Sequence, residues 1–141
     1  MTRPEPQLPG TDPTPVVDLT QPFTEKDLYA LRAAVTAHAH AAGASPGSVD
    51  SLLIAVGELA SNAVRHGGGT GTLRLWVSDG RLLCQVSDHG PGFTDPQLSG
   101  RDPIPPTAPG GRGLWIVRQI CPHVSIDSDD TGTVVTIAVP A

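Results

Sequence analysis

Residues 57–66 read GELASNAVRH, and Gly67, Gly68 and Gly69 follow directly. The stretch ends a longer run, 46–66, that opens on Ser45-Pro46, a capping residue followed by proline at the first helical position. At 100° per residue, Leu52, Leu53, Val56, Leu59, Ala60, Ala63 and Val64 fall within an arc of about 140°, a stripe suited to a core. Glu58, Asn62, Arg65 and His66 cluster within about 100° on the other side by the same arithmetic. The glycine-rich 67–71 then stops the helix. Glu58, Asn62 and His66 recur four residues apart and so share one face. Taken alone, that polar row reads as a solvated surface.

Working outward, the spacing predicts the remaining elements. Residues 1–15 (MTRPEPQLPGTDPTP) read as a disordered tail, and residues 16–141 as one domain. Val16, Val17 and Leu19 suggest a short edge strand that ends before Pro22. Thr24 as N-cap, with Asp27 three residues on, starts a helix over 24–42 that carries Leu28, Leu31, Ala34 and Val35 and closes at Gly43. In 72–78 (TLRLWVS), Leu73, Leu75 and Val77 alternate with Thr72, Arg74, Trp76 and Ser78. Asp79-Gly80 is a hairpin signal, and 81–87 is the return strand. Residues 94–110 hold five prolines and no apolar period, a long irregular segment of the kind that serves as a lid or binding loop. Residues 110–120 (GGRGLWIVRQI) open on glycines and continue as a short apolar helix. Residues 123–128 and 133–139 read as strands joined at 130–132. The order β-α-α-β-β-loop-α-β-β predicts an α+β fold: a two-layer α/β sandwich with a mostly antiparallel sheet and helices on one face.

Composition narrows the function. The 141 residues are 38% hydrophobic and only 4% aromatic, so the core is built from Ala, Val, Leu and Ile. A net charge of −5 without a basic run argues against direct nucleic-acid binding. Lys26 is the single lysine and no Gly-Lys pair exists, which excludes a Walker A loop. Cys84 and Cys121 are far apart with no CxxC, so neither paired zinc spacing nor a disulfide framework is expected, but two free thiols in a reducing cytosol. No apolar signal region and no run of 18 apolar residues occurs, which points to a cytoplasmic protein without membrane contact. His38 and His40, two apart in a helix, share no face and are expected at solvent. Ser/His/Asp triad chemistry finds no support. Trp115 is expected in the core, and Trp76 exposed on its strand at a protein contact.

Three separated segments carry the unusual chemistry: the Glu58, Asn62 and His66 row, DHGPGF at 88–93, and GGRG at 110–113. Each has a plain reading as surface, turn or loop. Together they suit one ligand. Asp88 at a strand end can accept a hydrogen bond from an exocyclic amine, while Gly90 and Gly92 let a flat ring approach the backbone. Glycines entering a helix N-terminus suit phosphates. The Asn62 oxygen suits Mg2+. Glu58, one turn away, can orient or deprotonate a nucleophile.

The three segments resemble, in order and spacing, the N, G1 and G2 boxes of the GHKL ATPases, the superfamily of gyrase B, histidine kinases and MutL with the Bergerat ATP-binding fold. The matching residues are Glu58, Asn62, His66 and Gly67; Asp88, Gly90 and Gly92; and Gly111, Arg112, Gly113 and Leu114. The chain is most similar to the bacterial anti-sigma factor serine/threonine kinases, and Arg65-His66-Gly67 and GRGLWIV look like their stand-alone actinobacterial branch. The resemblance implies ATP and Mg2+ as cofactors, Glu58 as general base, Asn62 as Mg2+ ligand, and Asp88 as adenine contact with Gly90 and Gly92 lining the base. Gly111, Arg112 and Gly113 would wrap the phosphates, His66 would support them, and Phe93, Gly110 and Leu114 complete the ATP-binding set. It also implies a STAS-type anti-anti-sigma partner, a sigma factor, and the dimerisation common in the family. The sequence departs in one place: those kinases often carry Arg two residues before the first G2 glycine, and here Pro109 stands there. That departure keeps open a catalytically weak nucleotide-dependent sequestering regulator; a detached histidine-kinase-type ATPase domain is the other alternative.

Overall fold

Alternating apolar residues on four segments build most of one sheet. The computed structural model describes residues 18–92 and 112–141, with only the backbone of Arg112. The strands are β1 (Leu19–Thr24), β2 (Thr70–Ser78), β3 (Arg81–Asp88), β4 (His123–Asp129) and β5 (Gly132–Pro140), and the helices α1 (Leu28–Ala41), α2 (Pro46–His66) and α3 (Arg112–Ile120). The sheet order is β1-β2-β3-β5-β4 and every pairing is antiparallel. Element order and class are those the sequence predicts. The expected tail at 1–15 and lid at 94–110 lie outside the described residues.

The register explains the two layers. Leu75, Cys84, Ile137 and Val124 lie in one cross-strand row, and Leu73, Val86, Val135 and Ile126 in the next. These residues form one cluster with Leu31, Val35, Leu52, Val56, Leu59 and Ala63 of the helices. The alternate rows, such as Arg74, Gln85, Thr136 and Ser125, face away from the helices and are exposed or half-buried. Burying aliphatic side chains at about 25 cal/mol per Å² of apolar area holds the layers together.

Local chemistry sets the element ends. The Thr24 backbone N–H and hydroxyl both donate to the Asp27 carboxylate, at 2.8 and 3.1 Å, and a 3-10 turn at Glu25–Asp27 leads into α1. The Ser45 hydroxyl accepts the Ser48 amide at 3.2 Å, and Pro46 opens α2. The Arg32 guanidinium donates to the Leu53 carbonyl at 2.9 Å and ties α1 to α2. Asp79 and Gly80 have φ of 51° and 73°, the positive pair that a two-residue hairpin turn needs. In the β4–β5 turn, the Thr131 hydroxyl and amide hold the Asp129 carboxyl below its ordinary range against the opposing effect of burial, with the Gly132 amide adding to them.

Four expectations are corrected. β1 runs through Pro22 to Thr24 rather than ending before the proline. It is an edge strand, where a missing N–H breaks no ladder. Trp115 is only half-buried, because Leu114 and Val117, at 2% and 0% exposure, are the residues of α3 in the core. His38 is half-buried, with its Nδ1 2.8 Å from the Ala34 carbonyl, while His40 is exposed as expected. Trp76 is half-buried, with the Arg74 guanidinium 4.8 Å from its ring centre.

Candidate functional site

The period-two alternation that buries Leu82, Cys84 and Val86 carries on to Asp88, the last residue of β3. Asp88 therefore faces the helices, beside Thr133 of β5, its cross-strand partner. An apolar row thus ends in a carboxylate and a hydroxyl at the rim of the core. The Asp88 Oδ1 accepts the Gly90 amide at 2.9 Å. The carboxylate lies against the end of α2, where a Cβ on Gly67 would overlap its Cγ and Oδ2. Gly92 has φ of 83°, and a Cβ there would overlap the Asp129 carbonyl. The turn at 88–92 is accordingly closed on two sides, by α2 and by the β4–β5 turn.

The polar row of α2 is not a solvated face. Glu58 and Asn62 are half-buried, and only Arg65 and His66 are exposed. The first turn of α3 lies over the row. A Cβ on Gly113 would sit 2.8 Å from Glu58 Oε1, 3.4 Å from Asn62 Nδ2 and 3.6 Å from Asn62 Oδ1. A glycine at this place brings backbone, with the free amides of a helix N-terminus, onto a carboxylate and an amide side chain.

Asn62, His66, Asp88, Gly92 and Leu114 line one narrow cleft with Leu59, Ala63, Val86, Thr133 and Val135. The sequence names Asn62, His66, Asp88, Gly92 and Leu114 as candidates. It does not single out Thr133, which is 6% exposed and within 2.8 Å of the Ser128 hydroxyl; only the pairing with Asp88 would have found it. The enclosed space is about 40 Å³, on the order of one water, so a purine would fit only with displacement of the walls. Phe93, Gly110 and Gly111 lie outside the described residues, as does the Arg112 side chain.

The donor set fits a magnesium nucleotide. The Asn62 side-chain oxygen is the hard ligand that Mg2+ accepts alongside waters and phosphates, and the glycine at 113 lets the start of α3 approach it closely. Among the described residues, no group of three or more His, Cys, Asp or Glu is placed to hold a metal by itself. A wider concavity, about 690 Å³, lies at the opposite end of the sheet around Arg81, Leu83 and His123, and its lining holds neither glycine nor carboxylate. The letters of Gly43-Ala44-Ser45-Pro46-Gly47 match G-x-S-x-G. Ser45, however, caps α2 in a helix–helix connection, not a strand-to-helix elbow. Among the described residues, no helix is long and apolar enough to cross a membrane.

Comparison with known proteins bears on the fold. No curated protein matches the chain. Among solved structures, it resembles the histidine kinase domain of a blue-light activated histidine kinase from Erythrobacter litoralis (21% identity, TM-score 0.55), covering 80% of this chain and 62% of that one. It resembles the RsbU and RsbW domains of a Mycobacterium tuberculosis protein (18% identity, TM-score 0.59), covering 87% of this chain and 33% of that one. It also resembles the SiaB–SiaC complex from Pseudomonas aeruginosa (11% identity, TM-score 0.64), covering 86% and 88%. The chain thus spans less than two thirds of the first two, and at these identities the likeness is one of fold. Residues 22–139 match the family described as histidine kinase-like ATPase domain. On that match, which spans most of the sequence, the chain belongs to the histidine kinase-like ATPase domain family.

Proposed function

We propose that this chain binds Mg-ATP in the cleft between α2, β3 and α3, and that it is an anti-sigma regulatory factor acting as a serine/threonine kinase on a STAS-type anti-anti-sigma partner, with a sigma factor as its second partner. The observation that carries the reading is the approach of Gly113 to Glu58 and Asn62. It joins two glycine-bearing and acid-bearing segments remote in sequence at the place where a nucleotide's phosphates would meet a base.

Each residue then has a task. The Asp88 carboxylate accepts a hydrogen bond from the exocyclic amine of adenine, Gly92 lines the base, and Gly90 seats the turn against α2 beside it. The Asn62 carbonyl oxygen holds Mg2+, and His66 supports the phosphates from the end of α2. Gly110, Gly111, Arg112 and Gly113 wrap the phosphates at the start of α3, with Phe93 and Leu114 completing the pocket. ATP supplies the transferable phosphoryl group. Glu58 takes the proton of the partner's serine or threonine hydroxyl. Support for a protein partner comes from the SiaB–SiaC complex, in which a protein of this fold is held by another.

The test is transfer of radiolabelled phosphate from ATP to a STAS protein encoded beside this chain, wild type against Glu58→Ala. Acid-stable label on the partner, lost in the variant, is expected. Absence of transfer by the wild type, with ATP affinity intact in calorimetry, would establish instead the sequestering regulator that Pro109 keeps in view. Acid-labile label would indicate the detached histidine-kinase reading.

A further inference from the structure

We propose that Gly67 is a positioning residue for base recognition: the missing side chain at the end of α2 is what allows the Asp88 carboxylate to stand at the cleft. The inference rests on the reading of that cleft as the ATP site.

Glycine after a helix most often supplies a left-handed φ. Gly68 and Gly69 fit that account, with φ of 93° and 91° and open space around a Cβ. Gly67 does not. Its φ of −106° and ψ of 23° are open to other residues. Its amide donates to the Ala63 carbonyl at 2.9 Å, as an ordinary helix end does. Conformation therefore does not call for glycine here, and space does. A Cβ would overlap the Asp88 Cγ and Oδ2 and would stand 2.7 Å from the Ala63 carbonyl.

Gly90 repeats the pattern from the other side. It is not among the glycines with positive φ, yet a Cβ would lie 2.5 Å from the Gly67 Cα and 2.7 Å from the His66 carbonyl. The two glycines pack backbone to backbone and draw the turn after β3 against the helix. Asp88 has one oxygen tied to the Gly90 amide and the other against Gly67. Its strand position is fixed by pairing with Thr133, so a side chain at 67 swings the carboxylate away and breaks the Gly90 bond, besides pressing on the Ala63 carbonyl. The Gly90 hydrogen bond and the packing against Gly67 together keep the carboxylate there.

The experiment compares wild type and Gly67→Ala for binding of ATP and of purine riboside triphosphate, which lacks the 6-amino group, and measures hydrogen exchange of the Gly90 amide without nucleotide. In the variant, ATP affinity falls at least about tenfold, the effect of one lost hydrogen bond to a charged acceptor. Analogue affinity does not change, so the preference for ATP collapses, and the Gly90 amide exchanges faster. Gly47→Ala, which enters open space, alters neither readout. Retained preference and retained Gly90 protection in Gly67→Ala would overturn the proposal. An Asp88→Asn variant that keeps the ATP preference would instead overturn the underlying reading of the cleft. If Gly67→Ala does not fold, Gly67→Ala combined with Asp88→Ala decides. Restored folding supports the carboxylate clash, and continued unfolding assigns the clash to the Ala63 carbonyl and removes the proposal.

Discussion

Glu58 and Gly113 meet across the α2–α3 contact so closely that the place of a Gly113 Cβ is 2.8 Å from Glu58 Oε1. Replacing Gly113 by Ala favours the helix by roughly 0.8–1 kcal/mol of propensity. The clash is with the far end of a flexible side chain, so Glu58 yields before the backbone does. The expected outcome is a melting temperature equal to or above wild type together with a fall in phosphate transfer of up to about 100-fold, the scale of a misplaced catalytic group. Thermal unfolding and transfer rates measured on the same preparation check it; unchanged transfer would mean that Glu58 has no positional task.

Glu58→Ala separates binding from chemistry. Loss of a general base costs about 100- to 10,000-fold in rate. ATP affinity in calorimetry should stay near wild type, because the adenine and metal contacts are assigned to Asp88 and Asn62. A large loss of affinity would show Glu58 to be a binding residue.

Asp88→Asn keeps an oxygen that accepts the Gly90 amide but removes the charge. The fold should survive, since Asp88 is half-buried at the end of its strand. Hydrogen bonds to charged groups are worth about 1.5–3 kcal/mol, so ATP should bind about 10- to 100-fold more weakly. Normal ATP binding by this variant would remove the ATP assignment of the cleft.

The thiols predict an alkaline limit. Burial pushes the Cys84 thiol from its ordinary 9.0 up to about 12, with the neighbouring Cys121 adding to the shift, and burial raises Cys121 to about 11. The unfolded chain ionises first, so the native state holds protons that the unfolded state has lost, and stability falls as pH rises. The contribution is whole below pH 9 and declines between 9 and 12. Urea midpoints at pH 8 and 10.5 should differ, and Cys84→Ala should show the smaller difference. Native protein should also react slowly with thiol reagents, because the thiolate is the nucleophile.

Much of the fold is legible in the sequence because it is decided by near neighbours. Ser45-Pro46 and Gly67 bound α2, Asp79-Gly80 sets the hairpin, and the alternation in β2, β3 and β5 assigns each side chain to a face. The misreadings fall where the neighbours lie far off in the chain. Pro22 is acceptable in β1 because nothing pairs on the strand's outer side. Trp115 lies at the margin because Leu114 and Val117 already occupy the core side of α3.

The sequence by itself determined the element order, the apolar stripe of α2, and the presence of Glu58, Asn62 and Asp88 beside glycine-rich stretches. Periodicity and turn chemistry act over a few residues, so they can be read from letters alone. Only the tertiary structure decided that α3 covers the Glu58–Asn62 row, that Thr133 stands beside Asp88, and that Gly67 is glycine for want of space. Those facts depend on backbones that are remote in sequence coming into van der Waals contact. Such contacts follow from strand register and helix packing over the whole domain, and no local pattern encodes them.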